Sequence, residues 1–151
     1  MPLPISPSDK ADLAVDHVVA AEAEPVILDA RELLRQYGLA AKKSWGQNFL
    51  VDERSYSAIV RACALSPDDV AVEVGAGLGT LTSRLLATSA TVVAVERERD
   101  MCEVLRNELG GRPRFTLQEE NALHLDIPAL AERFGRRSVI VGKPPYQLAS
   151  P

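Results

Sequence analysis

Between Val72 and Thr80 the chain reads Val72-Glu73-Val74-Gly75-Ala76-Gly77-Leu78-Gly79-Thr80. A short β-branched run meets three glycines, and a helix-forming stretch follows. Glycine lets the backbone turn tightly and approach a ligand closely, and a helix start presents unpaired N–H donors. Glu96 stands 17 residues after Gly79, at the end of the next apolar run. A carboxylate there can accept hydrogen bonds from both hydroxyls of a ribose. The spacing separates two nucleotide classes. The dinucleotide fingerprint is G-x-G-x-x-G, and its third glycine position is occupied here by Thr80. The spacing is G-x-G-x-G, preceded by the acid Glu73, which favours S-adenosylmethionine and disfavours an NAD-dependent dehydrogenase. The bland alternative is a tight strand-to-helix turn with a surface glutamate.

The elements that must position this loop alternate along the chain. Asp29 and Glu32 have capping-box spacing before a short helix that Gly38 ends. Asp52 caps a second helix with Ala58, Ile59, Ala62 and Cys63 on one face. Ser66-Pro67-Asp68-Asp69 reads as a turn. Val70–Val74, Thr91–Val95 and Ser138–Val141 read as strands, with a weaker one over Arg114–Leu117. Helices are expected over Thr80–Ala87, over Glu98–Leu109, and from Pro128 to Phe134 with Asp126 or Ile127 near the cap. Strand–helix alternation implies an α/β fold with right-handed crossovers and a parallel sheet covered on both faces.

Composition bounds the partners. The 151 residues carry a formal net charge of -4, which argues against a strongly basic nucleic-acid-binding tail. Residues 1–30 hold one base and six acids, whereas the remainder is nearly neutral. Residues 1–28 therefore read as an acidic leader, disordered or weakly helical, and 29–151 as the body. Cys63 and Cys102 suit two reduced thiols in a cytoplasmic protein. His17 and His124 lack ligand spacing, so no metal site is expected. No apolar run approaches the ~20 residues of a membrane helix, and the acidic start lacks signal-peptide character.

Two further segments sharpen the reading. Gly46-Gln47-Asn48-Phe49-Leu50-Val51-Asp52 precedes the first sheet strand, and Gly142-Lys143-Pro144-Pro145-Tyr146 follows the fourth. With Glu73–Gly79 and Glu96, these resemble the ribosomal RNA adenine N6-dimethyltransferases, from about Leu39 to Pro151. The family includes the universal small-subunit enzymes and the erythromycin-resistance enzymes, and the small-subunit branch is the better match. The resemblance implies a Rossmann-like S-adenosylmethionine-dependent methyltransferase fold, with four strands in the order 3-2-1-4. It also implies N6-dimethylation of adenosines in small-subunit ribosomal RNA. Asn48 and the Leu50 backbone would hold the methionine end of S-adenosylmethionine. Gly75 and Gly77 would pass beside it, Glu96 would hold its ribose, and Asn121 would read its adenine. The family usually has aspartate at the Asn121 position. Pro145 and Tyr146 would belong to the target-base site, with the Tyr146 ring stacking on a flipped adenine.

The departure is Lys143, where the family has asparagine. Adenine N6 needs acceptors for its two N–H hydrogens, and lysine offers three donors and no acceptor. The resemblance also implies later strands and a small helical domain beyond Pro151. The expectation is therefore a fragment of such an enzyme. Its alternative is a catalytically inactive remnant that binds cofactor or RNA. Arg31, Arg35, Lys42, Lys43, Arg54, Arg136 and Arg137 are the candidate phosphate contacts. Oligomeric state is not legible.

Overall fold

The computed structural model describes residues 24–39, 52–134 and 137–142. The elements are α1 (Ala30–Gln36), α2 (Glu53–Cys63), β1 (Val70–Val74), α3 (Thr80–Leu86), β2 (Thr91–Glu96), α4 (Arg99–Leu109), β3 (Phe115–Glu119), a 3-10 turn (Ala122–His124), α5 (Ile127–Phe134) and β4 (Ser138–Val141). The four strands are all parallel and lie in the order β3-β2-β1-β4.

The two central strands are apolar because both of their faces are covered. Val70, Val72, Val93 and Val95 pack with Leu130 of α5 on one face. Ala71 and Val92 point the other way, towards Leu85 of α3, with Ile59, Val60 and Cys63 of α2 against them. Ala94, on this second face, joins Met101, Val104, Leu105 and Leu109 of α4 and Leu33 of α1. The alternation along each strand therefore sorts its side chains between two helical layers. By the same alternation Glu73 and Glu96 belong to the second face.

Capping follows the sequence closely. Asp29 accepts from Glu32 N at 3.0 Å, Asp52 from Ser55 N at 2.8 Å, and Asp126 from Ala129 N at 3.0 Å. The capping box at α1 is half-formed, since the Glu32 side chain pairs with Arg35. Ala64 closes α2 in the left-handed region at φ 46°, a place usually given to glycine.

β3 begins one residue later and ends two residues later than expected, its polar Thr116 and Gln118 sitting on a half-buried edge strand. Residues 24–28, grouped with the leader by composition, run along the body. Leu28 is buried, its N–H donates to Ser83 Oγ at 3.0 Å, and its carbonyl accepts from Arg84 Nη1 at 2.9 Å. No helix among the described residues is long and apolar enough to cross a membrane.

Candidate functional site

The glycine loop leaves the carboxyl end of β1, the strand at which the sheet order reverses. In open parallel sheets this switch point is where nucleotide-like ligands sit. Gly75, Gly77 and Gly79 adopt φ of 73°, 58° and 85°. Such values cost a side-chain-bearing residue steric strain. Gly79 carries a second constraint. A Cβ there would lie 2.9 Å from Leu105 Cδ2 and 3.3 Å from both Leu109 and Leu28, so the loop seats directly on α4 and the N-terminal segment.

Glu96 ties the loop to β2. Its Oε1 accepts from Gly77 N at 2.8 Å, and its Oε2 accepts from Arg97 N at 2.8 Å and Glu98 N at 2.9 Å. The residue is 7% exposed. Three of roughly four lone-pair directions are thus taken by backbone donors. One acceptor direction remains on Oε1 and serves a single hydroxyl; a second hydroxyl requires displacement of an N–H. Gly75 N and Ala76 N donate to Val95 O at 2.9 and 3.2 Å, which fixes the loop's start.

Glu73 is a second strand-end carboxyl and lies 3% exposed. Thr82 Oγ1, in the first turn of α3, donates to its Oε2. Burial, reinforced by the neighbouring Glu96 charge and opposed by the Thr82 bond, pushes this carboxyl up to about 8. Sequence reasoning saw Glu73 only as part of the motif; an acid inside an otherwise apolar strand was the available signal.

Asn121 sits at the end of β3 and accepts from Leu123 N at 3.0 Å, capping the 3-10 turn. Its oxygen keeps a further acceptor direction. Gly142, just after β4, has φ 129°, and a Cβ on it would lie 2.3 Å from Val74 O. The backbone that leads into Lys143 therefore touches the end of β1. Topology brings the carboxyl ends of β1 and β4 together, with the Glu96 end of β2 on the other side of β1. Asn48, Leu50, Lys143, Pro145 and Tyr146 lie outside the described residues.

Several candidate phosphate contacts are committed elsewhere. Arg137 makes a two-pronged ion pair with Asp69, Nε to Oδ1 at 3.1 Å and Nη2 to Oδ2 at 2.6 Å, and also donates to Ala64 O. The pair holds the Asp69 carboxyl down at about 2. Arg35 pairs with Glu32, while Arg31 and Arg54 are exposed. Lys42, Lys43 and Arg136 lie outside the described residues. A groove bordered by Ile27, Tyr56, Val60, Arg61 and Arg84 shares no residue with the glycine loop.

Comparison with known proteins agrees with this geometry. A family model described as ribosomal RNA adenine dimethylase matches residues 38–151. A ribosomal RNA small subunit methyltransferase A from Anaeromyxobacter dehalogenans is 54% identical over 129 residues, covering 80% of this chain and 45% of that protein. The protein of the same name from Myxococcus xanthus is 47% identical over 122 residues, covering 80% and 41%. Among solved structures, a dimethyladenosine transferase from Plasmodium falciparum matches with a TM-score of 0.55 and 25% identity, covering 68% of this chain and 35% of that one. A 23S rRNA methyltransferase matches with a TM-score of 0.50 and 30% identity, covering 54% and 33%. The chain thus spans less than half the length of these curated relatives.

Proposed function

Because the chain belongs to the ribosomal RNA adenine dimethylase family, we propose that it supplies the cofactor-binding part of an S-adenosylmethionine-dependent enzyme that dimethylates adenosine N6 in small-subunit ribosomal RNA. The observation that carries this reading is the loop Gly75–Gly79, held by Glu96 at the switch point of a 3-2-1-4 sheet. The residues fit the cofactor. The glycines carry no side chains, the Ala76 and Leu78 side chains of the loop are buried in the core, and Glu96 retains one acceptor for a ribose hydroxyl. Asn121 retains an acceptor direction for the adenine amino group.

When bound, S-adenosylmethionine supplies a methyl group on a positively charged sulfur. The chain's own residues bind and orient. Glu96 fixes the loop through Gly77 N and keeps one lone pair on Oε1 for the ligand. Asn48 and the Leu50 backbone would hold the methionine end, and Pro145 and Tyr146 would belong to the target-base site, with the Tyr146 ring stacking on the adenine. Ribosomal RNA is the partner in this reading, and the cytoplasm its location.

Lys143 favours a second reading, a remnant that binds cofactor or RNA without transferring methyl groups, because its side chain has no acceptor for adenine N6. Two experiments separate the cases. Glu96→Ala removes a charge-assisted acceptor and should weaken S-adenosylmethionine binding by roughly one to two orders of magnitude in calorimetry. Equal affinity in both proteins removes Glu96 from the site. Tritium transfer to unmethylated small-subunit RNA then compares Lys143 with Lys143→Asn, in this chain and in a version extended with the family's remaining strands and helical domain. A large gain with asparagine in the extended version supports the acceptor argument, whereas equal rates refute it.

A further inference from the structure

Glu73, the penultimate residue of β1, and Glu96, the last of β2, lie on the same face of the sheet. Glu73 pairs in register with Ala94, so Glu96 is its diagonal neighbour, one pleat repeat further along β2. The two carboxyls do different work. Glu96 is satisfied by three backbone N–H groups. Glu73 has the Thr82 hydroxyl of α3 as its hydrogen-bond partner. The other titratable groups that bear on it among the described residues are Glu96 from β2 and the Cys63 thiol from α2, neither of which is a cation. A buried carboxylate without a counter-charge is strongly disfavoured, and the group keeps its proton instead. Glutamine would fill the same space and still accept from Thr82. Yet the acid sits two residues before Gly75, at the foot of the cofactor loop.

The proposed cofactor changes charge during its own reaction. The donor is a sulfonium cation and the product nucleoside is a neutral thioether. We propose that Glu73 sets the site's preference for the charged donor over its neutral product. Its carboxyl is protonated in the cofactor-free chain, releases that proton to solvent when a sulfonium occupies the loop, and takes one back from solvent once the thioether remains. The carboxylate then stands as the buried counter-charge of the donor alone, and product release is eased by loss of that pair. This rests on the reading of the loop as an S-adenosylmethionine site.

The test is calorimetric titration of the 151-residue chain with S-adenosylmethionine and with S-adenosylhomocysteine, in buffers of low and high ionisation heat. Donor binding should release close to one proton more than product binding near pH 7. The donor-to-product affinity ratio should rise close to tenfold per pH unit between pH 6 and pH 7 and level off towards pH 8. Glu73→Gln, isosteric and still able to accept from Thr82, should flatten that rise while leaving the contribution of each ligand's own amine. Equal proton counts for the two ligands on the wild-type chain overturn the proposal and leave the cofactor reading standing. Binding of neither ligand overturns both. An unchanged pH slope in Glu73→Gln places the titrating group elsewhere and overturns the role of Glu73.

Discussion

Replacing Glu73 by glutamine should progressively stabilise the protein, relative to wild type, as pH rises from 4.5 to 8. In the unfolded chain this carboxyl loses its proton near the ordinary value of 4.5, whereas in the fold it holds on to about 8. Below the lower value both states are protonated and the group costs nothing. Through the window the unfolded state gains by ionising while the folded state cannot. The loss grows by ~1.4 kcal/mol per pH unit and levels off above pH 8, at a total on the order of 5 kcal/mol. That is a large fraction of the stability of a typical domain. Glutamine does not titrate. Any fixed cost of burying its amide is the same at every pH and cancels in the comparison. Urea unfolding followed by far-ultraviolet circular dichroism at pH 4.5, 6, 7 and 8 measures it, provided the transition is two-state. A stability difference between the two proteins that stays constant across these pH values would refute the reasoning. The carboxyl would then ionise in the fold as it does in water.

Three other outcomes follow from the same geometry. Gly79→Ala must adopt φ 85° and push against Leu105, Leu109 and Leu28, and should destabilise the protein by about 2–4 kcal/mol; an unchanged thermal midpoint would contradict the close seating of the loop. Asp69 is held low by Arg137, so its contribution is present above about pH 4 and is lost as pH falls towards 2; Asp69→Asn should lower stability at neutral pH and shrink the acid-induced loss, and an identical acid titration would remove the pair from the account. Asn121→Asp keeps the acceptor that caps Leu123 N. It should leave the thermal midpoint nearly unchanged and tighten S-adenosylmethionine binding several-fold, with unchanged affinity arguing that Asn121 only caps a turn.

Much of this architecture is readable from the chain because the physics is local. Val70–Val74 and Thr91–Glu96 announce themselves as strands buried on both faces, and Asp29, Asp52 and Asp126 mark helix starts by side chains that cap three residues on. The glycine loop and Glu96 are legible for the same reason: both sit at strand ends that the apolar runs define. The illegible parts depend on distant contacts. Arg137 reads as a free cation until the fold brings it to Asp69, 68 residues away. Glu73 reads as one more motif residue until α2 and α3 close over it. The Asn121 turn has no periodic signal, since three residues of 3-10 helix are too short to carry one.

The return of β4 to the side of β1 divides the site in time as well as in space. β1, β2 and β3 are laid down by consecutive short crossovers, so the glycine loop and its Glu96 anchor have all their covalent parts once residue 119 has been made. β4 must instead reach back across the sheet to a single neighbour, held at one end by Arg137 on Asp69 and at the other by Gly142 against Val74. Long-range parallel pairing of this kind forms late and opens first. During synthesis the glycine loop and its Glu96 anchor therefore have their partners before β4 has been made.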